Sequence, residues 1–173
     1  MIYTAFTQSD FTSFEDRERE LNFMIRVLFI CHGNICRSPM AEYILKDIVK
    51  KRGIANQFSI ASAATSTEEI GNGVHQGTRR KLKEMGIPCG CHRAVQMRKA
   101  DYGTYDYLLG MDTWNIRNMR RIAGDDPEHK ICRLLDFSDN PRDIADPWYT
   151  GNFDVTYDDI VEGCGAFLDS LGL

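Results

Sequence analysis

Residues 25–46 read IRVLFICHGNICRSPMAEYILK, and the change of pattern inside this stretch decides the fold. IRVLFI is a β-rich, mostly apolar run of the kind that forms a buried strand. It stops at CHGNICRSP, where Gly33 and Asn34 tolerate backbone angles closed to most residues. Helical spacing of apolar residues takes over in MAEYILKDIVKK, and Gly53 closes it. Ser38 is placed as the N-cap of this helix and Pro39 as its first residue. The unit is strand, tight loop, helix.

Outward from it the same alternation continues. FSIASAA (58–64), YDYLLGM (105–111) and KICRLLDF (130–137) read as strands. TRRKLKEMG (78–86), DTWNIRNMRRIAG (112–124) and DVTYDDIVEGCGAFLDSLG (154–172) read as helices, with a long polar loop carrying Pro141 and Pro147 before the last. Strands alternating with helices predict an α/β fold, a parallel sheet covered on both faces. In such sheets ligands bind beyond the carboxyl ends of the strands, which points to the loop after the first one.

Composition sets outer bounds. The chain has 173 residues, 43% hydrophobic and 27% charged, and its mean hydropathy is −0.36, the profile of a soluble globular domain. A net charge of −4 gives no global attraction for nucleic acid or an anionic membrane, so neither is expected as a partner. No apolar run is long enough to span a bilayer, and the first residues lack the pattern of a secretory signal. A cytoplasmic location is expected, with the six cysteines reduced. Residues 1–23, acidic and free of any motif, read as an appended extension, flexible or with a short helix over 14–23. Residues 24–173 read as the folded domain.

The loop from Cys31 to Ser38 carries the chemistry. A Cys-x5-Arg spacing alone is weak, because this composition produces it by chance about as often as not. Its placement between a buried strand and a helix start is what makes it specific. The backbone N–H groups of His32, Gly33, Asn34, Ile35 and Cys36 can wrap one tetrahedral dianion, and the helix N-terminus adds partial positive charge. Cys31 at the base of that cradle meets amides, a helix dipole and a guanidinium, all of which favour thiolate over thiol. Arg37 can grip two phosphoryl oxygens with its planar fork. Ser38 is placed to donate to the thiolate, and Asn34 to hold the loop in left-handed backbone. No Walker-type GxxxxGK is present. The competing reading, that Cys31 is a small buried residue at a strand end, leaves Arg37 and Ser38 without a reason.

CHGNICRSPMAE (31–42) resembles the active-site loop of low-molecular-weight protein tyrosine phosphatases, and Asp146-Pro147-Trp148-Tyr149 resembles the family's late Asp-Pro followed by aromatics. The likeness runs over essentially all of residues 24–173. It implies a flavodoxin-like four-stranded parallel sheet of order 2-1-3-4. It also implies a single-domain phosphatase without metal or cofactor, acting on phosphotyrosine in proteins through a cysteinyl-phosphate. On this resemblance Cys31 is the nucleophile, Arg37 the phosphoryl clamp and Asp146 the acid that protonates the leaving phenolate and then activates water. Trp148 and Tyr149 become apolar walls for a flat side chain, and Cys36 a partner for a reversible disulfide with Cys31. A monomer is the default expectation.

Three alternatives are weighed against this reading. A thiol-dependent arsenate reductase of the same fold needs two further cysteines to relay the disulfide, one of them at the end of the third strand, where Gly110-Met111 stands, which disfavours it. A protein arginine phosphatase of the same family carries a small threonine where this chain has Ile35. A catalytically silent phosphate-binding module would lack Cys31, Arg37 or Asp146.

The remaining candidates have simpler readings. Asp126-Pro127 reads as an exposed turn. Cys89-Gly90-Cys91 with His92 has the wrong spacing for a zinc site and no second pair. Cys132 and Cys164 read as buried thiols. His32, His75, His92 and His129 show no ligand pattern, and the basic clusters at 79–83 and 117–121 read as solvated helix faces.

Overall fold

The structure is a computed structural model that describes residues 24–173, so the extension read over 1–23 and its helix lie outside the described residues. Its centre is the first strand, β1 (Ile25–Cys31), whose residues Val27 to Ile30 are almost completely buried. β1 pairs in parallel with β2 (Phe58–Ala64) on one side and with β3 (Tyr107–Gly110) on the other, and β3 pairs with β4 (Ile131–Arg133). The sheet order is β2-β1-β3-β4, as the resemblance implied. A strand buried on both faces has no polar side to show, which is why IRVLFI reads as a nearly continuous apolar run.

Alternation along β1 divides the core in two. Val27, Phe29 and Cys31 face α1 (Arg37–Lys51) and the C-terminal helix α6 (Phe153–Ser170), packing on Met40, Ile44, Leu45, Ile160 and Phe167. Leu28 and Ile30 face the opposite layer, where α4 (Thr113–Ala123) contributes Met119 and Ala123. Among the described residues the remaining α-helices are α2 (Gln76–Glu84) and two single turns, α3 (Asp101–Thr104) and α5 (Pro147–Thr150).

The structure corrects several expectations. Helix α1 begins at Arg37 with Cys36 as N-cap and no capping side chain, so Ser38 and Pro39 are its second and third residues. Pro39 is tolerated there because first-turn N–H groups have no intrahelical acceptor. The fourth strand is only three residues long, since Leu134–Phe137 turns into a 3-10 helix closed by Asp136 on the Arg133 backbone. Part of the loop before α6 is the helical turn α5, which Asp146 caps. Cys164 is fully buried, and burial pushes its thiol up; Cys132 is only half-buried, yet its thiol is also pushed up, to about 12. Asp126 is more than an exposed turn residue: its carboxylate accepts from the Tyr102 hydroxyl and the Lys130 and Ile131 amides, pinning the chain that enters β4.

One close approach sets how α6 seats. A Cβ added at Gly163 would lie 2.6 Å from Cγ of the fully buried Leu134, whereas one added at Gly165, on the same helix, meets nothing within 4 Å. Gly163→Ala should therefore lower unfolding stability by about 1–3 kcal/mol through overpacking. Gly165→Ala should raise it by up to about 1 kcal/mol through helix propensity. Urea denaturation of the two variants measures both signs.

Candidate active site

Parallel pairing aligns Cys31 with Ala64 and Ile30 with Gly110, so the loops that follow β1, β2 and β3 leave the sheet at one edge. The loop 32–36 is shaped by Asn34, which is fully buried and sits in left-handed backbone at φ 57°. Its amide N–H donates to Cys31 Sγ at 3.3 Å. Its side-chain Nδ2 donates to Ser38 Oγ and Ser62 Oγ, both at 2.9 Å, and its Oδ1 accepts from the Val95 amide at 3.1 Å. Its carbonyl lies 2.7 Å from His92 Nε2. Every polar atom of this buried residue is thus used, and the bonds tie the loop to β1, α1, β2 and the 92–95 segment.

The sulfur of Cys31 sits at the base of the loop, 3.1 Å from Ser38 Oγ. Ser38 Oγ accepts from Asn34 and lies 3.3 Å from the Ala63 carbonyl, so its single proton is shared between that carbonyl and the sulfur. Ser62 donates in turn to Glu42 on α1 at 2.5 Å. Among the described residues, the amides of Gly33, Ile35 and Cys36, and of Arg37 and Ser38 at the start of α1, make no hydrogen bond to another group. The uncapped helix start therefore leaves a cluster of donors beside the sulfur. Cys36 is a poor rival nucleophile. Burial, reinforced by the charges of Cys31 and Asp146, pushes its thiol up to about 12.

Arg37 is 2% exposed. Its Nη1 donates to Asp112 at 2.6 Å and to the Ile144 carbonyl at 2.9 Å, and its Nη2 donates to Asp146 at 2.6 Å. Burial opposes the charged guanidinium, but Cys31, Asp146 and Asp112 outweigh it and hold the proton on. Its Nε is buried and has no partner among the described residues. Asp146 spends one oxygen on Arg37 and the other on the Trp148 amide at 3.1 Å, which makes it the cap of α5. Arg37 thus joins the end of β1 to the segment before α6, 109 residues away in the chain.

The cleft over this constellation has a volume of about 120 Å³ and is walled by Cys31, Ile35, Arg37, Asp146, Trp148 and Tyr149. Trp148 and Tyr149 are 58% and 84% exposed, so they stand at the mouth and are not packing for the loop. His75 lies edge-on to Trp148 with ring centroids 5.7 Å apart and stacks on Phe153. His32 points outward and pairs with Glu68 at 3.0 Å. A Cβ at Gly33 would lie 3.1 Å from Cγ of Glu69, a tight contact that the Glu69 side chain would have to relieve by shifting.

The residues singled out in the sequence therefore converge. Sequence reasoning missed Asp112, Glu42, Ser62 and the roles of His75 and His92. Asp112, two residues past β3 and capping α4 through the Asn115 amide, had the signal of an Asp at a strand-to-helix junction. Among the described residues no cluster of three or more His, Cys, Asp or Glu is arranged to hold a metal ion, and no helix is long and apolar enough to cross a membrane.

A sequence profile described as low molecular weight phosphotyrosine protein phosphatase matches residues 26–172. The chain belongs to this family. It is 41% identical over 150 residues to the low-molecular-weight protein-tyrosine-phosphatase YfkJ of Bacillus subtilis, covering 86% of this chain and 96% of that one. The crystal structure of YfkJ superposes with a TM-score of 0.82 over 86% of this chain and 95% of the other. The human low molecular weight phosphotyrosine protein phosphatase is 38% identical over 151 residues, covering 83% and 93% of the two chains. A Drosophila arginine phosphatase structure shares the fold at 28% identity and a TM-score of 0.77, covering 86% and 99%.

Asn34 should be the most sensitive structural residue of the loop. Asn34→Ala strands several polar partners and puts a Cβ-bearing residue with no local hydrogen bond in left-handed backbone, so stability should fall by about 2–4 kcal/mol. Asn34→Gly relieves the backbone part and should lose about 1 kcal/mol less. Chemical denaturation of both variants separates the two contributions.

Proposed function

We propose that this chain hydrolyses phosphotyrosine in proteins by two transfers of one phosphoryl group, with Cys31 as nucleophile, Arg37 as clamp and Asp146 as acid and base. The observation that carries the reading is the buried, unpartnered Nε of Arg37, held beside a row of unused amides and the Cys31 sulfur. Those donors fit a tetrahedral dianion. Its oxygens take Nε and Nη2 of Arg37 together with the amides of the loop, and Asp146 gives up Nη2 for the ester oxygen. The Cys31 thiolate attacks phosphorus, the P–O bond to the tyrosine breaks, and Asp146 protonates the departing phenolate. Water then attacks the cysteinyl-phosphate while Asp146 takes its proton, and Cys31 leaves as thiolate. Asp112 holds the far side of Arg37 throughout, so the guanidinium does not turn when Asp146 leaves it.

Trp148 and Tyr149 at the mouth and Ile35 in the wall favour a flat aryl phosphate over a phosphorylated serine, which is too short to reach the sulfur past them. The likeness to an arginine phosphatase makes phosphoarginine the second substrate to test, with apolar Ile35 arguing against a guanidinium. All the groups used come from one chain, so a monomer suffices. A thiolate nucleophile suits a reducing, cytoplasmic setting. Rates on phosphotyrosine, phosphoserine and phosphoarginine should rank tyrosine first, and a faster phosphoarginine reaction overturns the assignment.

The roles can be tested one by one. Cys31→Ser should lose turnover and keep oxyanion binding. Asp146→Ala should slow an alkylphenyl phosphate about 10²- to 10⁴-fold, and a nitrophenyl phosphate far less, because nitrophenolate departs without a proton. Asp126→Ala, at the opposite edge of the sheet, is the control and should show no leaving-group dependence. Residues 1–23 are proposed as an extension outside the phosphatase domain, since the family match begins at residue 26. A protein starting at Met24 should fold and keep its specific activity; a large loss of either would assign the segment a part in the site.

A further inference from the structure

The chain holds a second pair of thiols that the phosphatase chemistry does not use. Cys89 and Cys91 flank Gly90 in the irregular segment between α2 and Ala94, Cys89 half-buried and Cys91 exposed. Cysteines two residues apart are within the Cα separation a disulfide bridges, provided the backbone can pucker. Glycine between them supplies that freedom. Among the described residues, Pro88–Arg93 takes part in no backbone-to-backbone hydrogen bond, so the segment is held by side chains, the Tyr43 hydroxyl of α1 and His92 on the Asn34 carbonyl, and not by a sheet or helix ladder.

Two exposed arginines lie beside the thiols. The thiols line a cleft of about 390 Å³ together with Arg79, His92 and Arg93. Arg79 donates to the Val74 carbonyl at 3.3 Å and Arg93 to the Gly71 carbonyl at 3.2 Å, and neither is paired with a carboxylate among the described residues. Two guanidinium charges thus remain available beside the sulfurs. Burial raises the Cys89 thiol, and Arg79 and the Tyr43 hydroxyl beside it work against that rise. Cys91, in solvent, is the thiol an oxidant meets first.

We infer that Cys89-Gly90-Cys91 is a redox-active dithiol that closes to an intramolecular disulfide with an anionic low-molecular-weight disulfide, and that the closure is felt at the phosphate loop through His92. The Cys91 thiolate attacks one sulfur of the oxidant, whose S–S bond breaks and releases one thiol, leaving a mixed disulfide on Cys91. The Cys89 thiolate then attacks Cys91 Sγ, forming the Cys89–Cys91 bond and releasing the second thiol. Two protein thiols lose two electrons and two protons, and the oxidant disulfide gains both. Arg79 and Arg93 hold the carboxylates of the oxidant near Cys91. His92 follows Cys91 directly and lies 2.7 Å from the Asn34 carbonyl, so drawing 89–91 into a small ring displaces a group on which the loop is hung.

The test uses the full chain in buffers of varied oxidised to reduced glutathione, trapped by alkylation and digested with trypsin. The peptide Glu84–Arg93 holds Cys89 and Cys91 as its only cysteines, and Val27–Arg37 holds Cys31 and Cys36, so the two possible disulfides are read separately. The expected result is that Glu84–Arg93 loses two hydrogens and resists alkylation as the buffer is oxidised, reversibly, while Cys89→Ser stops at glutathione on Cys91. Double alkylation throughout, or a wild-type peptide carrying only glutathione, overturns the proposal. Arg79→Ala with Arg93→Ala should slow the reaction with glutathione disulfide at least threefold more than that with a neutral hydroxyethyl disulfide, which keeps only the effect on the Cys89 thiol; equal slowing of the two removes the anion subsite. For the coupling, phosphate binding to the Cys31→Ser protein is measured by calorimetry before and after closure, with a three- to tenfold weakening expected. Unchanged affinity overturns the coupling. This arm rests on the phosphate-loop reading, and a reduced Cys31→Ser protein that binds no phosphate refutes that reading while leaving the dithiol result standing.

Discussion

A guanidinium with almost no solvent contact must be neutralised where it lies, and Arg37 sets that requirement for the whole molecule. Removing such a charge from water costs several kcal/mol, which only close, well-aligned partners offset. The partners come from far along the chain: Asp112 after β3, the Ile144 carbonyl and Asp146 before α5. Three crossover connections have to be complete before the charge is matched. Completion of the sheet and neutralisation of Arg37 are therefore linked, and a chain that misplaced β3 or the 138–146 segment would leave Arg37 buried and unpaired.

The same pairing explains how a site can be rigid and still change hands. Asp112 and the Ile144 carbonyl lie on one side of the guanidinium, at Nη1, and belong to the frame. Asp146 lies at Nη2, on a single helical turn that it caps itself, and its carboxylate is the less buried side of the ion pair. An oxyanion arriving at Nε and Nη2 replaces one carboxylate with another charge of the same sign, so Arg37 stays neutralised while Asp146 is freed. Pro147 fixes the entry to that turn and Gly151, in left-handed backbone, its exit.

What was legible in the sequence follows the range of the interactions. The strand, loop and helix around Cys31 are specified locally, by an apolar run, by Asn34 and by the spacing of Arg37, and they stand as read except at the helix start. The N-cap reading of Ser38 failed because its hydroxyl is occupied by Cys31 and Asn34, and a helix start meant for an anion is left uncapped. The fourth strand was read too long because LLDF is apolar enough for a strand, while the turn is dictated by Asp136 on the Arg133 backbone. Asp112, Ser62, Glu42 and His92 escaped notice because each acts across 20 to 75 residues of chain, and no local pattern marks an acid or hydroxyl for such a duty.

Six thiols in one chain are kept apart by environment alone. Cys164 is enclosed among apolar side chains of α6 and the sheet, and burial keeps its proton on; Cys132, though half-buried, is pushed up to about 12 by burial with Asp136 and Asp126 adding to it. Cys36, five residues from the nucleophile, is held neutral by burial and by the charge of Cys31 itself, so ionising one of this pair suppresses ionisation of the other. That leaves chemistry to Cys31, which is given an amide and a hydroxyl, and to the Cys89 and Cys91 pair, where Cys91 is exposed and Arg79 works against the rise that burial imposes on the Cys89 thiol. The two reactive positions sit on opposite sides of Asn34, one at its amide and the other, through His92, at its carbonyl. A residue whose left-handed backbone is maintained by every bond it makes cannot accommodate a shift at one end alone, and this is the physical route by which chemistry at one thiol site reaches the other.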